Sequence, residues 1–135
     1  MKRLITADEV ERLKEHFGPL IPDSLLSLLS KQGIIGNDFE LSEKVDASGF
    51  GVEMRWMAPE EQLEEAFRFY PGIEAIKKKY IPVGICLRGS GDPYFIKEDS
   101  SILKIYRIPH ESAINGDIDE SQIEYVCQLD DLIKN

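Results

Sequence analysis

From Ile81 to Ile108 the chain runs IPVGICLRGSGDPYFIKEDSSILKIYRI, and the reading of this stretch decides the fold. Ile81, Val83, Ile85 and Leu87 alternate with Pro82, Gly84, Cys86 and Arg88, the period of a strand whose two faces meet different surroundings. Pro82 has no N–H to give to a ladder, so it belongs at a strand start or on an edge. Gly89-Ser90-Gly91-Asp92-Pro93 has the composition of a turn. Tyr94 to Lys97 and Leu103 to Ile108 predict two further strands, joined by the polar link Glu98 to Ser101. Three such runs with short connections make an antiparallel meander.

Toward the C-terminus, Asn115-Gly116 marks another turn, Ile123 to Cys127 a last strand, and Leu129, Leu132 and Ile133 a short closing helix. Toward the N-terminus, Val52, Met54 and Trp56 alternate with Glu53 and Arg55, which predicts a half-buried strand with Trp56 in the core. Pro59 opens a helix in which Leu63, Ala66, Phe67 and Tyr70 form the apolar stripe and Glu60, Glu61, Glu64 and Glu65 occupy the other faces. Pro71-Gly72 ends it, and Ile73 to Lys79 adds a helical turn closing on three lysines. Residues 34–51 mix Gly, Asn, Asp and Ser with scattered apolar residues, which suits irregular structure with a short strand.

The first helix is the best marked. Thr6-Ala7-Asp8-Glu9 has the form of a capping box, Ala7, Val10, Leu13 and Phe17 recur at helical spacing, and Gly18-Pro19 stops the run, giving a helix over 7–17. Pro22 suits the first turn of a second helix whose Leu25, Leu26, Leu28 and Leu29 form a core stripe ending near Gly33. Two helices, a strand, a helix, several strands and a last helix predict one α+β domain over 1–135, with a largely antiparallel or mixed sheet covered mainly on one side.

Composition bounds the function. A chain of 135 residues with 42% hydrophobic content can bury a core without a disulfide or metal, so Cys86 and Cys127 read as buried thiols. No apolar run has the length to cross a bilayer and no secretory h-region follows Lys2-Arg3, which predicts a cytoplasmic protein. The net charge of −9 is uneven: 0 over residues 1–31, −6 over 32–70, +3 over 71–108 and −6 over 109–135. Such a surface repels nucleic acid and anionic lipid and attracts a basic partner, although solubility alone also accounts for it.

No motif carries chemistry. Gly89-Ser90-Gly91 lacks the third Gly and following helix of a dinucleotide loop, and lacks the Lys and hydroxyl of a P-loop. Asp117, Asp119 and Ser121 have the spacing of a calcium loop's first ligands, but Gln122 and Gln128 stand where it needs Gly and Glu. His16 and His110 have no ligand or nucleophile at a telling spacing. The residues therefore predict no catalytic group, no metal and no cofactor. On the third helix the dipole favours Glu60 and Glu61 in any protein, whereas Glu64 and Glu65 repel that pair at i, i+4. These four are either a solvated face or contacts for a basic partner.

The stretch Val10–Gly33, VERLKEHFGPLIPDSLLSLLSKQG, resembles the beginning of SUKH proteins, and Tyr80–Ile96, YIPVGICLRGSGDPYFI, resembles their strand, Gly/Asp turn and aromatic strand. Cys127-Gln128-Leu129 to Ile133 resembles their closing strand and helix, while residues 34–51 and 109–122 match nothing in the pattern. The resemblance implies an α+β fold with a mixed sheet and a function by protein binding. The family includes immunity proteins that neutralise bacterial toxins, many of them nucleases, and a fungal regulator of cell-wall assembly, with no shared catalytic set. The expectation is an immunity protein binding a basic toxin domain through Glu60, Glu61, Glu64 and Glu65. A scaffold or regulatory domain for an endogenous protein is the alternative, and a small-molecule binder or enzyme using a cleft beside the sheet is the third.

Overall fold

The computed structural model describes residues 2–134 apart from 45, 48, 50, 89 and 90, and the backbone alone at 114 and 134. Its elements are α1 (Ala7–Phe17), α2 (Asp23–Lys31), β1 (Asp38–Leu41), β2 (Val52–Trp56), α3 (Pro59–Arg68), α4 (Gly72–Ala75), β3 (Ile81–Cys86), β4 (Tyr94–Asp99), β5 (Ile102–Arg107), β6 (Ala113–Ile114), β7 (Asp117–Ile118), β8 (Glu124–Gln128) and α5 (Leu129–Lys134). This is a single-domain α+β fold. Among the described residues no helix is long and apolar enough to cross a membrane.

The first helix starts and stops as its end signals require. Thr6 Oγ1 accepts from the Glu9 N–H at 3.2 Å, Glu9 Oε1 accepts from the Thr6 N–H at 3.1 Å, and the Gly18 N–H closes the far end on the Lys14 carbonyl. Arg3 holds the same Glu9 carboxylate at 2.6 and 2.7 Å. With these bonds the carboxyl is held down at about 2, the Arg3 bond being the largest cause.

Six strands form one sheet in the order β1-β2-β3-β4-β5-β8, and every pairing is antiparallel, so the mixed alternative is not what the chain adopts. The meander is present, with one change of boundary. Asp99 pairs with Ile102, which leaves only Ser100 and Ser101 in the turn at φ 52° and 67°. Two consecutive left-handed residues match the twist of a tight hairpin, so β4 runs two residues further than Lys97. Asn115-Gly116 makes the same kind of turn between β6 and β7.

Alternation along β4 divides the interior. Tyr94 and Ile96 join the main core with Leu13, Leu25, Leu29, Trp56 and Leu132, all under helices α1, α2 and α5 or on neighbouring strands. Phe95 points the other way into a second cluster with Ala75, Tyr80, Ile108 and Ile118. The expectation of a sheet covered mainly on one side therefore needs amendment: α4 and the β6–β7 hairpin shield part of the opposite face. Ala47 N–H bonds the Val126 carbonyl at 2.8 Å, and α5 touches β1, β5 and β8, so the sheet curls until its outer strands lie near one helix.

Candidate protein-binding face

Helix α3 starts after Ala58, which has no side-chain acceptor. Only the return half of a capping box forms, with Glu61 Oε1 accepting from the Ala58 N–H at 2.9 Å. The buried side of the helix is Gln62, Leu63 and Ala66, and Gln62 Nε2 donates to the Pro82 carbonyl at 3.0 Å. A fully buried glutamine anchoring helix to sheet is a contact the apolar periodicity did not reveal.

The four glutamates do not act alike. Glu60 is gripped by Arg12 of α1, Nη1 to Oε2 at 3.0 Å and Nη2 to Oε1 at 3.2 Å, with both side chains about half exposed. Glu61 caps the helix, and its charge helps raise the pKa of Arg55 after the larger effect of the Asp38 bond. Glu64 is exposed. Glu65 is half-buried, with Oε2 accepting from the Gly72 N–H at 3.0 Å where α4 crosses the end of α3. Desolvation raises its pKa, against the Gly72 bond and the His110 charge. Glu65 thus differs from the other three in being half-buried, with its carboxylate joining two helices. The repulsion expected at i, i+4 is relieved by cations from other elements, Arg12 and Arg55, that sequence spacing cannot place.

The apolar stripe also needs correction. The helix ends at Arg68, so Tyr70 lies beyond it and is 58% exposed, while Phe67 is 46% and Phe69 52% exposed. Phe67 lies against Phe17 of α1, ring centroids 5.6 Å apart, and near the His16 ring at 6.2 Å. Between α1 and α3 runs a groove of about 200 Å³ whose walls include Arg12, Glu60, Leu63, Glu64 and Phe67. The two helices together carry eight carboxylates against three cations, net −5 of the chain's −9. The α1–α3 face is thus a groove with an aromatic wall and a carboxylate rim.

No family model, curated protein or solved structure matches the chain.

The remaining motifs resolve locally. Asp117 Oδ1 accepts from the Ile118 N–H at 2.8 Å and pairs with Lys78 at 3.3 Å, while Asp119 Oδ1 takes the Ser121 N–H and hydroxyl at 3.1 and 2.6 Å. These are turn-forming contacts. Among the described residues no group of three His, Cys, Asp or Glu side chains is arranged to hold a metal. The Gly89-Ser90 part of the glycine turn lies outside the described residues. His16 is exposed on α1, whereas His110 Nδ1 sits 2.7 Å from Asp92 Oδ1, a partnership across 18 residues that no spacing signals. Cys127 is buried, and desolvation pushes its thiol up to about 12; Cys86 is only half-buried, which amends the expectation for that residue.

Proposed function

We propose that this chain is a non-catalytic, cytoplasmic protein-binding domain that docks a basic partner on the α1–α3 face, and that it serves as an immunity protein neutralising a cognate toxin. One observation carries the docking: Phe67, Phe69 and Tyr70 stand in the open at the end of two helices with eight carboxylates against three cations. Aromatic side chains left in water are expensive unless a partner covers them, and they are the anchors that dominate interface energies. Carboxylates around them speed the approach of a basic surface and keep nucleic acid and anionic membranes away. Glu60, Glu61 and Glu64 are the charged contacts on this reading. The toxin-directed form rests on the resemblance of Val10–Gly33, Tyr80–Ile96 and Cys127–Ile133 to SUKH proteins.

The test begins with proteins captured on the full chain from its native host, each then expressed alone to score toxicity. Coexpression of this chain should relieve the toxicity of one of them. With that partner, Glu60→Lys plus Glu64→Lys should slow association about tenfold at low salt and flatten its salt dependence, while Glu98→Lys on β4 leaves the rate unchanged. No toxic partner, or an association rate insensitive to the double reversal, overturns the proposal.

A further inference from the structure

Where β3 begins and β4 ends, the sheet borders a hollow of about 330 Å³, walled by Pro19 and Leu20 of the turn after α1, by Lys79 just before β3, and by Lys97 and Glu98 of β4. Its two lysines differ from their neighbours. Lys77 is held by Glu74 at 2.8 Å and Lys78 by Asp117 at 3.3 Å, but Lys79, the third of the run, has no carboxylate partner among the described residues. On the sheet Lys97 and Lys104 are register partners, and there too only one is paired: Lys104 meets Asp99 at 3.0 Å, whereas Lys97 lies over the Tyr80 ring at 4.6 Å. A ring face orients an ammonium without neutralising it. Tyr80 is buried with its ring against Tyr106, centroids 5.2 Å apart, so that platform is fixed.

Lys79 also stands where its backbone would favour another residue. At φ 72° and ψ 23° it is left-handed, a conformation that glycine adopts freely and that strains a residue with a Cβ. Its N–H donates to the Ile76 carbonyl at 3.0 Å, a closing bond that glycine would make equally well. A lysine is kept there against the local preference, and its side chain lines the hollow. Glu98, the one acid in the wall, is exposed and by strand alternation leaves β4 on the face opposite Lys97.

We propose that this hollow binds a small phosphomonoester, its phosphate between the Lys79 and Lys97 ammoniums and its apolar body against Pro19 and Leu20. Ammoniums are compact point charges without a planar fork, which suits a tetrahedral dianion better than a flat carboxylate. The chain as a whole is acidic, but residues 71–108 carry +3, and at ~0.1 M salt carboxylates more than ~10 Å from the site are largely screened, so the two near charges decide. At ~30 Å³ per water the space holds about eleven, the size of an aryl or short alkyl phosphate and too small for a nucleotide. The site does not rest on docking at the α1–α3 face.

The experiment is an amide NMR titration of the full chain at ~0.1 M salt with phenyl phosphate, phenol and benzoate. Phenyl phosphate should saturate with a Kd of about 1 mM, an affinity within reach of about eleven heavy atoms, and shift the amides of Leu20, Lys79 and Lys97. Phenol, without the charge, and benzoate, a planar monoanion, should each bind at least about fivefold more weakly. N-acetylphosphotyrosine amide carries the same head on a peptide: binding no tighter than that of phenyl phosphate assigns a free ester, and about tenfold tighter binding assigns a phosphorylated segment of another protein. Lys79→Gly, which relieves the left-handed backbone, should leave Tm unchanged or raised while weakening phenyl phosphate at least about fivefold, and Lys97→Gln should weaken it similarly. Equal affinity for phenol or benzoate, no saturation by phenyl phosphate, shifts centred elsewhere, or unaltered binding by Lys79→Gly would overturn the proposal.

Discussion

Replacing Gly72 by alanine should damage this protein far more than its modest chemistry suggests. A Cβ built at Gly72 lies 2.5 Å from the Glu65 carbonyl carbon and 2.7 Å from Oε2, and closer still to the carbonyl oxygen. Ordinary contacts of a carbon need ~3.4 Å or more, so α4 must retreat by about 1.5 Å from the last turns of α3. Overpacking of this kind costs about 1–3 kcal/mol. The retreat also stretches the 3.0 Å bond from the Gly72 N–H to the Glu65 carboxylate, where a charged hydrogen bond is worth about 1.5–3 kcal/mol. Together they remove on the order of 3–5 kcal/mol from a domain whose whole stability is ~5–15 kcal/mol. Trp56, the sole tryptophan and fully buried, reports unfolding directly in a urea titration. At a slope of about 2 kcal/mol per molar, the midpoint should fall by roughly 2 M with the slope unchanged. Glu65→Gln, which keeps an acceptor for Gly72, should lose much less. A Gly72→Ala midpoint within about 0.5 M of the parent would refute the close approach between α3 and α4.

Two further outcomes are expected. The Glu9 carboxyl titrates at about 2 in the fold against 4.5 in an unfolded chain, so its contribution is fully present above pH 4.5 and is lost as pH falls from 4.5 toward 2. Because the Arg3–Glu9 pair is partly exposed, solvent screening limits the effect to about 1 kcal/mol, and acid titrations of Glu9→Gln should show that slope missing. Of the two thiols, half-buried Cys86 should be alkylated by iodoacetamide in the native protein while buried Cys127, pushed up to about 12, reacts only on unfolding, as peptide mass analysis would read.

Which features could be read from the chain follows from the range of the forces involved. The bounds of α1 came from a cap, a period and a glycine stop, all within a dozen residues, and the strands of the meander from alternation just as local. The end of α3 is not legible because Phe67 and Tyr70 extend the helical period although the helix stops at Arg68, and a period cannot tell a core from a surface left for something else. Glu65 looked like its neighbours because only folding brings the Gly72 N–H to it. The row of Tyr94, Arg107 and Glu124 is beyond reach for the same reason: the three become adjacent only through strand register, and β8 reaches β5 after a long excursion through β6 and β7. Net charge was legible throughout, but its concentration on α1 and α3 depended on those helices packing together.

The bond from Ala47 to Val126, with α5 touching both β1 and β8, bears on how the chain must be assembled. A sheet whose outermost members converge on one closing helix presents little open backbone for another molecule to pair with. That protection depends on α5, residues 129–134, which follows in sequence every strand it touches. Loss of α5 would therefore not trim this domain but unlatch it, because one short helix meets β1 and β8 together.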